Sequence, residues 1–191
     1  MFIQTEATPN PNTMKFLPGR DVMGTGSMDF PSPESGARSP LAQKLFDIDG
    51  VTGVFFGGDF ITVTKANDET LEWAHLKAAV LGAVMDHFTS GAPILAEGAD
   101  EGPAAAGAAD YEGEDAEVVE QIIELLETRV RPAVAGDGGD IIFHDYKDGV
   151  VRLTMQGACA GCPASTMTLK QGIENLLRHY IPEVQEVRAV D

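Results

Sequence analysis

Residues 150–181 read VVRLTMQGACAGCPASTMTLKQGIENLLRHYI, and the fold of the C-terminal half follows from this stretch. Val150 to Gln156 is a β-rich run bounded by glycines, which predicts a strand. Gly157-Ala158-Cys159-Ala160-Gly161-Cys162 follows as a short loop of small residues that carries the chain's two cysteines. Pro163 suits a first helical position, and the spacing predicts a helix over 163–180 that buries Leu169, Ile173, Leu176, Leu177 and Tyr180. Pro182 breaks that helix.

Working outward, Asp140 to Tyr146 is a second β-rich run, turned into the first by Lys147-Asp148-Gly149. Before it, Val119, Ile122, Ile123, Leu126 and Val130 form the apolar stripe of a helix over 116–130. Acidic residues crowd its first turns and Arg129 and Arg131 its end, which complements the helix dipole, and Pro132 is expected to stop it. The loop AVAGDGG then leads into the first strand. Val184 to Val190 alternates like a last strand. The order is α-β-β-α-β.

Upstream the composition changes. Glu97 to Asp115 reads EGADEGPAAAGAADYEGED, and no Lys or Arg occurs between Lys77 and Arg129. Such a stretch buries too little apolar area to offset its ordering entropy and reads as a flexible linker. The expected organisation is therefore α+β, with two small two-layer domains (1–95 and 116–191) joined by an acidic linker over 96–115.

In the first domain, Phe2 to Glu6 and Met14 to Leu17 are expected strands around the rigid turn TPNPNT. Residues 17–39 read as a long loop. Ser39-Pro40 is a helix start with a hydroxyl cap, for a helix using Leu41, Leu45 and Ile48 and stopping near Gly50. Val51 to Phe56 and Asp59 to Lys65 are expected to form a hairpin turned by Gly57-Gly58 with positive φ. Asp68 is expected to cap a helix to about Phe88, with Trp73, Leu76, Val80, Val84 and Phe88 on one face and Gly91 at its end.

Thirteen Lys and Arg stand against thirty Asp and Glu, a formal net charge of −17. This surface repels phosphate backbones and anionic headgroups, and the basic residues are scattered singly, so neither nucleic acid nor membrane is an expected partner. No apolar run approaches the roughly 20 residues that cross a bilayer. Met1 to Glu6 lacks the features of a signal peptide. The expected compartment is reducing and cytoplasmic in the bacterial manner, with a processed mitochondrial form as the other reading. Two cysteines cannot form a disulfide framework in a chain of this size.

The spacing Cys159-x-x-Cys162 leaves four readings open: an iron–sulfur cluster, zinc, a redox dithiol, or two incidental cysteines. Both cysteines falling on one Gly-rich loop argues against the last. The redox reading expects the motif after the first strand of a βαβ unit, whereas this one follows a hairpin. At a helix N-terminus the partial positive charge is expected to lower the thiol pKa and favour the thiolates that bind metal. Zinc and cubane clusters usually take four protein ligands, and this chain offers two thiols. His144 is mid-strand and His179 lies about four helical turns from Cys162, roughly 25 Å away. A second copy of the motif, brought in by a twofold axis, completes the set more simply.

With those residues in view, RPAVAGDGGDI and VRLTMQGACAGCPASTMTLKQGIE (131–141 and 151–174) closely resemble the Nfu-type iron–sulfur scaffold and carrier domain, the C-terminal module of NifU. TPNPNTMKFLPG and SPLAQKLFDIDGVTGVFFGGDFITVTK (8–19 and 39–65) resemble the N-terminal domain of the same proteins. The resemblance implies a [4Fe–4S] cluster rather than [2Fe–2S], one per homodimer, held by Cys159 and Cys162 of both subunits. It further implies supply by upstream cluster assembly proteins and delivery to apo iron–sulfur proteins. Gly136-Asp137-Gly138-Gly139-Asp140 lacks the residues of a phosphate or calcium loop and reads as a structural turn. No triad, paired carboxylates or nucleotide fingerprint is present, so the expectation is a carrier and not an enzyme. The alternatives are a dithiol oxidoreductase with Cys159 as nucleophile and a dimer-bridging zinc protein.

Overall fold

A computed structural model of the chain describes residues 1–99, 107, 110–160 and 163–190, so the middle of the expected linker, 100–106 with 108 and 109, lies outside the described residues. The fold is α+β, and the chain divides into two compact units, Met1–Gly102 and Pro103–Asp191. Among the described residues no helix is long and apolar enough to cross a membrane.

The first unit is a five-stranded sheet in the order β1-β2-β5-β4-β3, every neighbouring pair antiparallel. Its strands are β1 (Gln4–Ala7), β2 (Thr13–Leu17), β3 (Met28–Phe30), β4 (Val51–Phe56) and β5 (Ile61–Lys65). The helices are α1 (Pro33–Gly36), α2 (Pro40–Phe46) and α3 (Trp73–Ser90). Phe16, Phe30, Val54, Phe56, Ile61 and Val63 of the sheet share one core with Leu41, Leu45, Val80 and Val84 of the helices. Ser39 caps α2 as its position demands, accepting from Ala42 N–H, and the same buried hydroxyl donates to the Ile94 carbonyl. Ala96 N–H donates to the Arg38 carbonyl, so the chain after α3 is tied back to the start of α2.

Several expectations for this unit are corrected. The stretch read as one long loop contains β3 and α1, because Met28 and Phe30 bury on the edge of β4 and Ser32 closes a capping box on Ser35. Gly57-Gly58 is not a two-residue turn, and neither glycine has positive φ. Residues 57–60 form the connection, with Gly57 N–H donating to the Phe60 carbonyl. Glycine is required at 57 because a Cβ there would stand 2.3 Å from the Phe60 ring. Asp68 accepts from Thr70 and closes a local turn, while α3 starts at Trp73 without a side-chain cap. Gly91 ends α3 at φ +70°, as expected.

The second unit is a three-stranded sheet in the order β6-β7-β8. β6 (Gly139–Lys147) pairs antiparallel with β7 (Val150–Gly157), which pairs parallel with β8 (Glu186–Ala189). Asp148 and Gly149 turn β6 into β7 with φ of 52° and 80°, the left-handed pair that a two-residue hairpin turn requires. The parallel step from β7 to β8 needs a crossover, and α6 (Pro163–Tyr180) supplies it. Ile141, Phe143, Leu153 and Met155 share one core with Val119, Ile122 and Leu126 of the preceding helical segment and with Ile173 and Leu177 of α6.

Pro132 does not stop the preceding helix. α4 (Glu114–Leu125) runs into a π-helical segment (Leu126–Val130) and on into α5 (Arg131–Gly136). A proline inside a regular helix clashes with the carbonyl four residues back, and a π-turn re-spaces the carbonyls at that point. Tyr180 is exposed, not buried, because α6 ends there and its ring lies beside the Arg129 guanidinium.

Candidate functional site

Cys159 stands just past the end of β7, and α6 begins four residues later. Gly157 leaves the strand at φ +66°, a conformation that favours glycine. Ala158 N–H then donates to the Gly138 carbonyl at 3.1 Å, and Ala160 N–H to the Gly157 carbonyl at 3.1 Å. Thr166 of α6 donates its hydroxyl to the Cys159 carbonyl at 2.9 Å, which fastens the loop to the first turn of the helix. Cys162 lies outside the described residues.

Cys159 is only 6% exposed and belongs to the core of the second unit. Its floor is Gly139, where β6 begins. A Cβ on Gly139 would stand 2.7 Å from the Cys159 Sγ and 2.6 Å from the Gln156 carbonyl oxygen. The Asp-Gly-Gly-Asp segment is thus a turn, as expected, but also the shelf on which the cysteine rests. Sequence reasoning missed that role. The run of glycines ending at Asp140 was its only signal, and it does not say what approaches the backbone.

Asp140 is buried at the edge of this shelf and paired across the sheet with buried Gln156, whose Oε1 has no hydrogen-bond partner among the described residues. Arg131, the first residue of α5, donates from Nε and Nη2 to the two Asp140 oxygens at 2.9 and 2.8 Å, and from Nη1 to Glu127 at 2.6 Å. The hydrogen bonds it donates to Asp140 hold the guanidinium pKa above its ordinary value.

Burial pushes the Cys159 thiol up to about 12, and the carboxylates of Asp137 and Asp140 push in the same direction. This corrects the expectation of a thiol lowered by the helix N-terminus: the sulfur points into the core against Gly139, where desolvation outweighs the helix dipole. The folded pKa is raised above that of an unfolded cysteine, so the shift stabilises the fold below about pH 9 and that contribution is lost as pH rises from about 9 through 12. Alkylation of Cys159 by iodoacetamide, followed by peptide mass, should therefore still be accelerating at pH 10. A rate that levels off by about pH 10, where an ordinary thiol is already largely ionised, would mean that the thiol is not held protonated.

The two histidines that could have completed a site within one chain are not brought to it. His144 is exposed at a register shift in β6 and hydrogen-bonded to Thr154. His179 is exposed near the far end of α6, about 24 Å along the axis from its start. Among the described residues no group of three or more His, Cys, Asp or Glu is placed to hold a metal ion.

Comparison with known proteins matches residues 3–91 to the family described as "Scaffold protein Nfu/NifU N terminal" and residues 122–188 to the "NifU-like domain". The chain is 53% identical over 190 residues to the human "NFU1 iron-sulfur cluster scaffold homolog, mitochondrial", covering all of this chain and 72% of that protein. It is 52% identical over 189 residues to the Arabidopsis thaliana "NifU-like protein 4, mitochondrial", covering 98% of this chain and 65% of that one. A solution NMR structure of a NifU-like protein from Saccharomyces cerevisiae aligns with 51% of this chain and 86% of its own length at 26% identity, with a TM-score of 0.44.

Proposed function

This chain belongs to the Nfu/NifU family of scaffold proteins, and from that premise we propose that it is an iron–sulfur cluster carrier. It would bind one [4Fe–4S] cluster between two copies of itself and pass it to apo-proteins. What supports the reading is the sequence position of the chain's two cysteines, in the short run of small residues after β7 and before α6. Two thiolates per chain are half of what a cubane takes, so Cys159 and Cys162 of each copy complete the set across a twofold axis.

Cys159 bears on release as well as binding. Loading a cluster must expel the proton that the buried thiol holds, and delivery returns it. A recipient cysteine gives up its proton and takes the iron, and Cys159 is reprotonated in its core position. A ligand whose neutral form is favoured by burial suits cargo that has to leave. A dimer-bridging zinc ion would leave the protein colourless.

The human and Arabidopsis thaliana relatives are mitochondrial by name, which favours a mitochondrial compartment for this chain over a bacterial-like cytoplasm. Its partners would be upstream assembly proteins and recipient apo-proteins there.

The assembly state tests the ligand count. Anaerobic sedimentation with iron and sulfide analysis should find about one cubane per two chains, with a dimer population that rises with occupancy and falls when a chelator strips the iron. A loaded monomer carrying a full cubane would overturn the bridging arrangement, and a colourless protein holding zinc would overturn the cluster itself.

A further inference from the structure

Arg131 stands where the π-helical segment gives way to α5, and its guanidinium joins that helix to the beginning of β6. It grips both oxygens of Asp140, at 2.9 and 2.8 Å, and its remaining arm holds Glu127 at 2.6 Å. Asp140 is 6% exposed, and one of its oxygens also accepts the Ile141 N–H at 2.8 Å. The residue before Asp140 is Gly139, against which the Cys159 sulfur packs, and Gly138 accepts from Ala158 in the cysteine loop. A continuous set of contacts thus runs from the guanidinium through Asp140 to the shelf beneath Cys159.

An exposed ion pair would contribute little. This one is a two-pronged fork on a buried carboxylate, and such a fork fixes direction as well as charge. Arg131 follows the π-turn in helical backbone and reaches β6 from there.

We propose that Arg131 is a positioning residue for the cargo: its fork on Asp140 sets the Gly138-Gly139 shelf under Cys159 and so sets how firmly the cluster is held and how fast it leaves. The proposal rests on the cluster-carrier reading. Groups that orient the support of a metal ligand without touching the metal commonly change affinity by about 10–100-fold.

The test compares the wild-type full chain with Arg131→Lys, Arg131→Met and the double variant Arg131→Met/Asp140→Asn, each loaded anaerobically with iron and sulfide. Three quantities are read: cluster loss to the iron chelator bathophenanthroline, visible circular dichroism of the bound cluster, and thermal unfolding of the apo-protein. Arg131→Met should lose its cluster about tenfold faster than wild type, with an altered visible spectrum. The double variant should recover the unfolding temperature, because no buried carboxylate is left without its cation, yet still release fast. Arg131→Lys, a point charge without the fork, should fall between wild type and Arg131→Met. If the double variant regains both stability and slow release, Arg131 only neutralises Asp140 and the positioning role is overturned. Wild-type release in Arg131→Met overturns it as well. A wild-type chain that retains no cluster overturns the carrier reading instead, before any variant is compared.

Discussion

Alanine at Cys159 or at Cys162 is expected to remove nearly all the iron and sulfide that the anaerobically loaded chain retains, because each copy then offers one thiolate where two are needed. The two variants should differ in a second respect. Cys159 is part of the core of the second unit, with its sulfur against Gly139, so Cys159→Ala leaves a void there. A cost of about 1 kcal/mol is reasonable for a loss of this size. In a unit of this length, that corresponds to roughly 4–8 °C in unfolding temperature. The far-UV circular dichroism of both variants should keep its folded shape. Cys159→Ser should do worse than alanine, since it places a hydroxyl in a pocket made for sulfur. Variants that keep stoichiometric iron would remove the cysteines from the site, and a collapsed far-UV spectrum would make them structural.

Gly139→Ala should be the most damaging change outside the cysteines. The added methyl would stand 2.6 Å from the Gln156 carbonyl oxygen and 2.7 Å from the Cys159 sulfur, and the first of these is backbone in the β6–β7 ladder, unable to swing aside. Either the strand end or the cysteine loop must move. Overpacking of this kind costs about 1–3 kcal/mol. Because the displaced atom is a proposed ligand, iron retention should fall more steeply than stability. Gly172→Ala is the matched control. That glycine lies on the exposed face of α6 with nothing within 4 Å of an added Cβ, so alanine there should stabilise by about 0.5–1 kcal/mol and leave iron binding intact. Equal iron content in Gly139→Ala and Gly172→Ala would contradict the packing described at the site.

The sequence alone determined the features whose causes are local. Ser39 caps α2 because a hydroxyl before Pro-Leu-Ala finds the Ala42 N–H wherever that helix forms. Asp148-Gly149 makes the hairpin turn because those two residues tolerate positive φ, and α6 spans the expected 163–180 because Pro163 opens it and Pro182 closes it. The position of Cys159 just past the end of a strand was legible for the same reason. Tertiary structure decided whatever depends on residues distant in sequence. Pro132 reads as a helix stop until a π-turn carries the helix past it, and Gly57-Gly58 reads as a tight turn until the Phe60 ring claims the space of a side chain. β3 is too short to be seen before β4 is there to pair with it. The Cys159 thiol shows the contrast most clearly. Its neighbours in sequence place it at a helix N-terminus and argue for a lowered pKa, while its neighbours in space, Gly139 and the core of the second unit, bury it and raise the pKa to about 12. Desolvation depends on everything that surrounds the sulfur, and only the folded chain specifies those surroundings.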